Sequence, residues 1–296
     1  MGVNKLPLSK RVQILSMLCE GSSMRSISRV ADVSINTVTK LLVEAGEASL
    51  AIHDEMVRNV RSKRVQCDEI WSFCYAKAAN VCKAKEAPEE AGDVWTWTAL
   101  DADTKLIVSY FVGDRSTRCA RALMDDLRDR LATRVQLTTD GHRAYLEAVE
   151  DAFGADIDYG MLDKIYATPA GNKQERKYSP GQCCGAIKRR VEGQPDGAHI
   201  STSYVERQNL TMRMSMRRFT RLTNAFSKKL DNHIHALALY FVFYNFCRIH
   251  KTLGVSPAME AGVSDRLWSL EDVVAKIDAM APAPKARGPY KKRVAA

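Results

Sequence analysis

Residues 65–76 read VQCDEIWSFCYA, and at Val65 the spacing of apolar residues changes from about 3.6 to 2. Such alternation specifies a strand, with Asp68 and Glu69 expected on opposite faces. Downstream, DVWTWTALDADTKLIVSYFVGDRS (93–116) gives two more strands, joined by a turn over Asp101 to Lys105. The polar, proline-containing KAANVCKAKEAPEEAG (77–92) is the loop ahead of them. TRCARALMDDLRDRLAT (117–133) is a helix with Ala120, Leu123, Met124, Leu127 and Leu131 facing inward. RVQLTTDG (134–141) is a short strand ending at Asp140, HRAYLEAVEDAFG (142–154) a helix, and DIDYGMLDKIYAT (156–168) a fifth strand. Three antiparallel strands followed by helix, strand, helix and strand specify an α/β domain around a mixed five-stranded sheet with flanking helices.

Ahead of this region the chain is helical. Residues 8–45 give LSKRVQILSMLCEG, SMRSISRVADVS and INTVTKLLVEAG, with Ile14, Leu15 and Leu18 on the first apolar face. The second and third segments carry helix-turn-helix spacing: Ile27 and Ala31, then Val33 in the turn, then Val38, Leu41 and Leu42. Ser34 is the expected cap of the recognition helix, whose outward Asn36, Thr37, Thr39 and Lys40 suit base edges or phosphates in a major groove. A plain three-helix packing unit is the alternative. We therefore place an all-α helix-turn-helix domain at 1–50 and a basic linker at 51–64.

Beyond the sheet lies STSYVERQNLTMRMSMRRFTRLTNAFSKK (201–229), read as one helix. It sets Glu206, Asn209, Arg213 and Arg217 at i, i+3, i+7 and i+11, on one face. From Arg207 to Lys229 there are arginines and lysines but no Asp or Glu, so Glu206 heads a basic helix. Asn209 is a candidate nucleic-acid contact, and Arg207, Arg213, Arg217, Arg218 and Arg221 are assigned to phosphate contacts, or alternatively to ion pairs within the fold. ALALYFVF (236–243) is too short to cross a membrane and reads as a buried helix.

Composition narrows the partners. With 46% hydrophobic and 27% charged residues in 296, the chain has enough apolar sequence for a large core and a smaller domain. The net charge of +9 favours a polyanion, and the absence of an apolar run of about 18 residues turns that reading from membrane to nucleic acid. With no secretory signal at the N-terminus, a soluble, cytoplasmic, nucleoid-associated protein is expected. The eight cysteines contain no CxxC pair, which argues against structural zinc and for free thiols, with adjacent Cys183 and Cys184 as a possible reactive pair. His233 and His235 point to different helix faces, His142 follows the second acid, and Trp71, Trp95 and Trp97 belong to strands as core residues.

Three carboxylates stand out by position: Asp68 within the first strand, Asp140 at the carboxyl end of a later strand, and Glu206 opening a helix. Convergent carboxylates suit hydrolysis or transfer of a phosphodiester by two divalent metals, and hard oxygen ligands suit magnesium or manganese. Should Asp68 not serve, Glu69 or Asp101 is the substitute. The order DEIW, TTDG and YVERQNLTMRMSMRR resembles the catalytic core of the DDE transposases and retroviral integrases. The form E-x-x-N-x-x-x-R, met by Glu206, Asn209 and Arg213, and YNFCRIHKTLGVSPAMEAG (244–262) resemble bacterial insertion-sequence transposases in particular.

That resemblance covers 65–262 and implies a ribonuclease H-like fold in which Asp68, Asp140 and Glu206 hold two Mg2+ or Mn2+ ions. It further implies cleavage at transposon ends, strand transfer into target DNA, and a homodimer or higher homo-oligomer on double-stranded DNA. Two rivals keep the same fold: a non-catalytic DNA-binding regulator, and a nuclease that hydrolyses without joining. An inserted loop over 167–200, rich in Gly, Lys and Arg, departs from the pattern. After 262, a C-terminal helix and a basic tail ending APAPKARGPYKKRVAA (281–296) are expected, the tail disordered and attracted non-specifically to DNA.

Overall fold

In the computed structural model, which describes residues 5–167, 181–220 and 224–281, the change of period coincides with the change from helix to sheet. Strand β1 (Arg64–Cys74) pairs antiparallel with β2 (Gly92–Asp101), which pairs antiparallel with β3 (Ile107–Gly113). At the β2–β3 turn Asp101 accepts hydrogen bonds from the Asp103 and Thr104 amides at 2.8 and 3.1 Å. The other side of β1 pairs in parallel with β4 (Gln136–Asp140), and β4 in parallel with β5 (Asp158–Tyr166). Parallel neighbours need crossovers. Helix α5 (Thr117–Arg130) leads into β4 and α6 (Ala144–Phe153) joins β4 to β5, after the short α4 (Ala78–Val81) in the loop before β2.

These five strands match the expected mixed sheet and are consistent with the ribonuclease H-like layout. A sixth corrects that reading: β6 (Cys183–Glu192), inside the stretch read as an inserted loop, pairs antiparallel with β5 and gives the order β3-β2-β1-β4-β5-β6. Its burial shows why no period was visible. Nearly every residue of CCGAIKRRVE is exposed, so neither face is selected to be apolar. The rest of that stretch from 168 to 180 lies outside the described residues.

The helical unit consists of α1 (Leu8–Cys19), α2 (Met24–Val30) and α3 (Ile35–Met56). Ser23 caps α2 and Ser34 caps α3, each accepting from a backbone amide in the first turn. Helix α3 continues to Met56, through the first part of the expected linker, because Ala45, Ala48 and Ile52 extend its buried face. That face meets α8 (Leu230–Val242), the apolar run read from sequence as a buried helix. Gly46 is the point of closest approach, since a Cβ built there would lie 2.3 Å from the His235 Cβ.

Between β6 and α8 runs α7 (Ser203–Ser215), and beyond α8 come a π-turn (Phe243–Cys247), α9 (Pro257–Glu260) and α10 (Leu270–Met280). In the π-turn the Asn245 carboxamide bonds both the amide and the carbonyl of Ile107, fixing the start of β3. Helix α10 packs on α1 and α3, with Arg11 donating to Asp278 at 2.6 Å and Lys276 to Glu55 at 2.6 Å. Ile14, Leu42 and Ile52 thus share one contiguous apolar core with Trp97, Leu123, Phe241 and Val273. Residues 282–296, the expected basic tail, lie outside the described residues.

Candidate active site

The β1–β4 ladder stops at Gln66↔Thr138, two residues before Asp68 and Asp140. Beyond that pair the strands open a cleft of about 460 Å³, lined by Asp68, Asp140 and Glu206 together with Arg115, Asp163 and Lys164. All three predicted acids therefore line one cavity. Asp140 is the last residue of β4 and accepts the His142 amide at 3.0 Å. Gly141 follows it, where a Cβ would stand 2.1 Å from an oxygen of the Asp163 carboxylate as it lies.

Glu206 is placed from the strand side. The Gln66 side chain, two residues before Asp68 and so on the same face of β1, accepts from the Tyr204 and Val205 amides at 2.9 and 3.1 Å. These are first-turn amides of α7 that lack intrahelical acceptors, so Gln66 anchors the helix start. One turn later the Asn209 amide donates to the Asp68 carboxylate at 2.7 Å. Asn209, read from sequence as a nucleic-acid contact, is buried with its side-chain amide on the Asp68 carboxylate. The Glu206 carboxylate accepts from Lys164 and from Thr202.

Electrostatics separate the acids. Oxygens of Asp68, Glu69 and Asp140 all lie within 4.8 Å of one another, whereas Glu206 stands outside that cluster. Asp68 and Glu69 were expected on opposite faces; Asp68 lines the cleft and Glu69 is buried beside it, yet an oxygen of each lies in one cluster with Asp140. Glu69 is buried and held by Arg115 at 2.7 Å and the Tyr145 hydroxyl at 3.1 Å. Burial, then the charges of Glu69 and Asp140, push the Asp68 carboxyl up to about 7. Glu69 is raised by burial and by Asp140, against the pull of Arg115. Burial works against the Lys164 ammonium, but its hydrogen bond to Glu206 outweighs this and raises it. A crowded set of hard oxygen donors with too few cations fits a divalent metal of the magnesium or manganese type.

The substitute Asp101 lies at the far end of β2, occupied by its turn, and plays no part in the cleft. The phosphate-contact arginines scatter. Helix α7 ends at Ser215 and Met216 is extended, so Arg217 leaves the face it was predicted to share with Glu206 and enters a one-turn 3-10 helix, Arg217–Phe219. The break follows Phe219, which turns into the core against His233 at 5.5 Å. Arg213 and Arg217 are exposed, Arg218 is half-buried and donates to the Ser227 hydroxyl at 2.8 Å, and Arg221 lies outside the described residues.

At the start of α3, Asn36 and Lys40 are exposed and Thr37 and Thr39 half-buried. Thr39 donates to the Ile35 carbonyl, and Lys40 stands 3.7 Å from Glu44. His233 is a core residue between Ser72 and Ser227, lowered to about 3 by burial. His142 lines the cleft with its ring stacked on Trp97, 5.7 Å between centroids. Sequence reasoning missed Gln66, Arg115 and Lys164. A buried-side glutamine two residues from a candidate acid was the available signal for the first; the others are exposed by no motif.

No helix among the described residues is long and apolar enough to cross a membrane. No protein-family model and no curated protein matches the sequence. Among solved structures, the chain is similar to the Mos1 transposase paired-end complex with left transposon end, at 12% identity over 54% of this chain and 60% of that one, TM-score 0.24. The alignment thus spans less than two thirds of that Mos1 chain. It is also similar to a piggyBac transposase synaptic complex with hairpin DNA, at 7% identity over 94% and 73%, TM-score 0.35. A third likeness is to a Mos1 mariner paired-end complex with Mn, at 10% identity over 75% and 78%, TM-score 0.24.

Proposed function

We propose that this chain is a DNA transposase of the insertion-sequence type, with a ribonuclease H-like core that cuts transposon ends and joins them to target DNA in a metal-dependent reaction. The observation that carries the reading is the convergence of Asp68, Asp140 and Glu206, from three separated motifs, on one open cleft rimmed by Arg115 and Lys164. Asp68 and Asp140, with Glu69 behind them, are the residues that would hold a divalent ion, and Glu206 the third ligand once it parts from Lys164. Bound there, two magnesium or manganese ions would polarise the attacking and leaving oxygens of a phosphodiester. Asn209 fixes the Asp68 carboxylate in the cleft, Gln66 holds the helix that carries Glu206, and Lys164 is a cation beside the place of a scissile phosphate. Asn36, Thr37, Thr39 and Lys40 read transposon ends from the helix-turn-helix, Arg213, Arg217, Arg218 and Arg221 contact phosphates, and the active species is a homodimer or larger.

The test is cleavage of a labelled end duplex with Mg2+ by wild type and Glu206→Gln, which keeps size and hydrogen bonding but removes the charge. We expect cleavage to fall by about a hundredfold or more, with duplex binding retained. Equal cleavage by both removes Glu206 from the site. Cleavage without joined products turns the reading to a nuclease, and binding without cleavage to a regulator.

A further inference from the structure

A second cleft, of about 930 Å³, lies between the helix-turn-helix unit and the segment that follows α7. Four cations line it: Arg25 from α2, then Arg217, Arg218 and Lys228. Among the described residues its lining contains no Asp or Glu, and none of the four pairs with a carboxylate. Arg218 is half-buried and, among the described residues, donates to the Ser227 hydroxyl and the Asn232 carbonyl. An enclosed guanidinium without a counter-charge is costly unless an anion supplies it.

The lining also holds an apolar set, Leu18, Ile35, Leu42, Met216 and Phe226, beside hydroxyl and carboxamide side chains such as Thr39, Asn224 and Asn232. The Phe226 ring stacks on Phe73, with centroids 5.1 Å apart, and the next residue is bridged to the end of β1 through Tyr75 N–H and the Ser227 carbonyl at 2.8 Å. This wall is therefore braced by the sheet. On the opposite side the α1–α2 turn rests on the end of α7, with the Ser215 carbonyl 3.0 Å from a Cβ built on Gly21. One helix thus carries Glu206 at its head and abuts this cleft at its foot, roughly 15 Å away at the rise of an α-helix.

We propose that this cleft binds an unpaired nucleotide of the DNA strand that enters the candidate active site. An inorganic anion would need the cations but not the apolar wall, and an apolar ligand would need the wall but not the cations. A duplex presents phosphates and keeps its bases stacked inside, so it leaves the wall unused. A single-stranded nucleotide uses both: its phosphates meet Arg25, Arg217, Arg218 and Lys228, and its base lies on Phe226 and the neighbouring aliphatic side chains. The inference rests on the transposase reading for its ligand, and it adds a site that recognises strand opening near the cut.

The experiment is fluorescence anisotropy on the full chain without metal, using labelled oligothymidine and a blunt duplex as separate probes. Wild type is compared with Phe226→Ala and with the double variant Arg25→Gln, Lys228→Gln, each checked for an unchanged melting temperature; the charge variant serves if loss of the ring destabilises the fold. We expect each variant to bind oligothymidine about tenfold more weakly while duplex affinity changes by less than about twofold for Phe226→Ala. Unchanged oligothymidine binding overturns the site and leaves the transposase reading standing. Equal losses on both probes overturn it in favour of a general phosphate surface, and displacement of oligothymidine by polyglutamate at matched charge overturns it in favour of an acidic peptide. Failure of wild type to bind either probe removes the nucleic-acid reading itself.

Discussion

Asp68 is an acid placed among acids, and its stability signature follows from that. Its carboxyl titrates near 7 in the folded chain and near its ordinary 3.8 when unfolded, so between these values the folded state holds the extra proton. Its contribution to stability is fully present below about pH 4 and is lost as the pH rises through 7; Glu69, also raised, acts in the same direction. The buried His53 and His233, both lowered to about 3, titrate with the opposite sign, so the comparison must be differential. Without metal, Asp68→Asn should gain melting temperature relative to wild type as the pH is raised from 4 to 7, and Mn2+ should stabilise wild type more at pH 8 than at pH 5. A gap that stays constant with pH would remove the carboxylate crowding from the account. The identity of these acids was legible in the sequence; their proximity was not, because strand alternation separates residues 68 and 69 whereas in the fold an oxygen of each lies in one cluster with Asp140.

Helix α3 owes its position to a missing side chain. Replacing a glycine inside a helix by alanine ordinarily adds roughly 1 kcal/mol of stability. At Gly46 the added Cβ would meet His235 at 2.3 Å, and forcing α3 from α8 should cost about 1–3 kcal/mol or more. The urea midpoint of Gly46→Ala is expected to fall below wild type; a rise would mean that the helices separate freely. The same scale shows where local pattern fails. The 201–229 stretch carries no glycine or proline to announce the break at Met216, which is made by Phe219 entering the core. Among the described residues strand β6 pairs with β5 and is almost wholly exposed, so its sequence carries no apolar face.

At the scale of the molecule, the N-terminal helical unit of α1, α2 and α3 is not packed as a separate body. Its apolar residues join the core of the sheet region, α8 completes the face of α3, and α10 returns to bond Arg11 and Glu55. Calorimetry should therefore show one cooperative transition, and a chain beginning at Val57, with the apolar side of α8 uncovered, should lack a cooperative melt. Two resolved transitions, or a truncated chain with native near-ultraviolet dichroism, would show two independent domains. Shared packing also fixes α3 relative to the cleft of Asp68 and Asp140.

Sequence alone determined the helices before Val65, the five alternating strands, and the three acids with their order along the chain, because each rests on a local period, cap or turn. Tertiary structure alone decided that Gln66 and Asn209 bind α7 to β1, that Lys164 and Thr202 hold Glu206, that Glu69 joins the acidic cluster, and that a cationic, apolar-walled cleft forms beside α7. Those contacts join residues up to about 140 positions apart, and only the divergence of two strands and the docking of one helix bring them within reach.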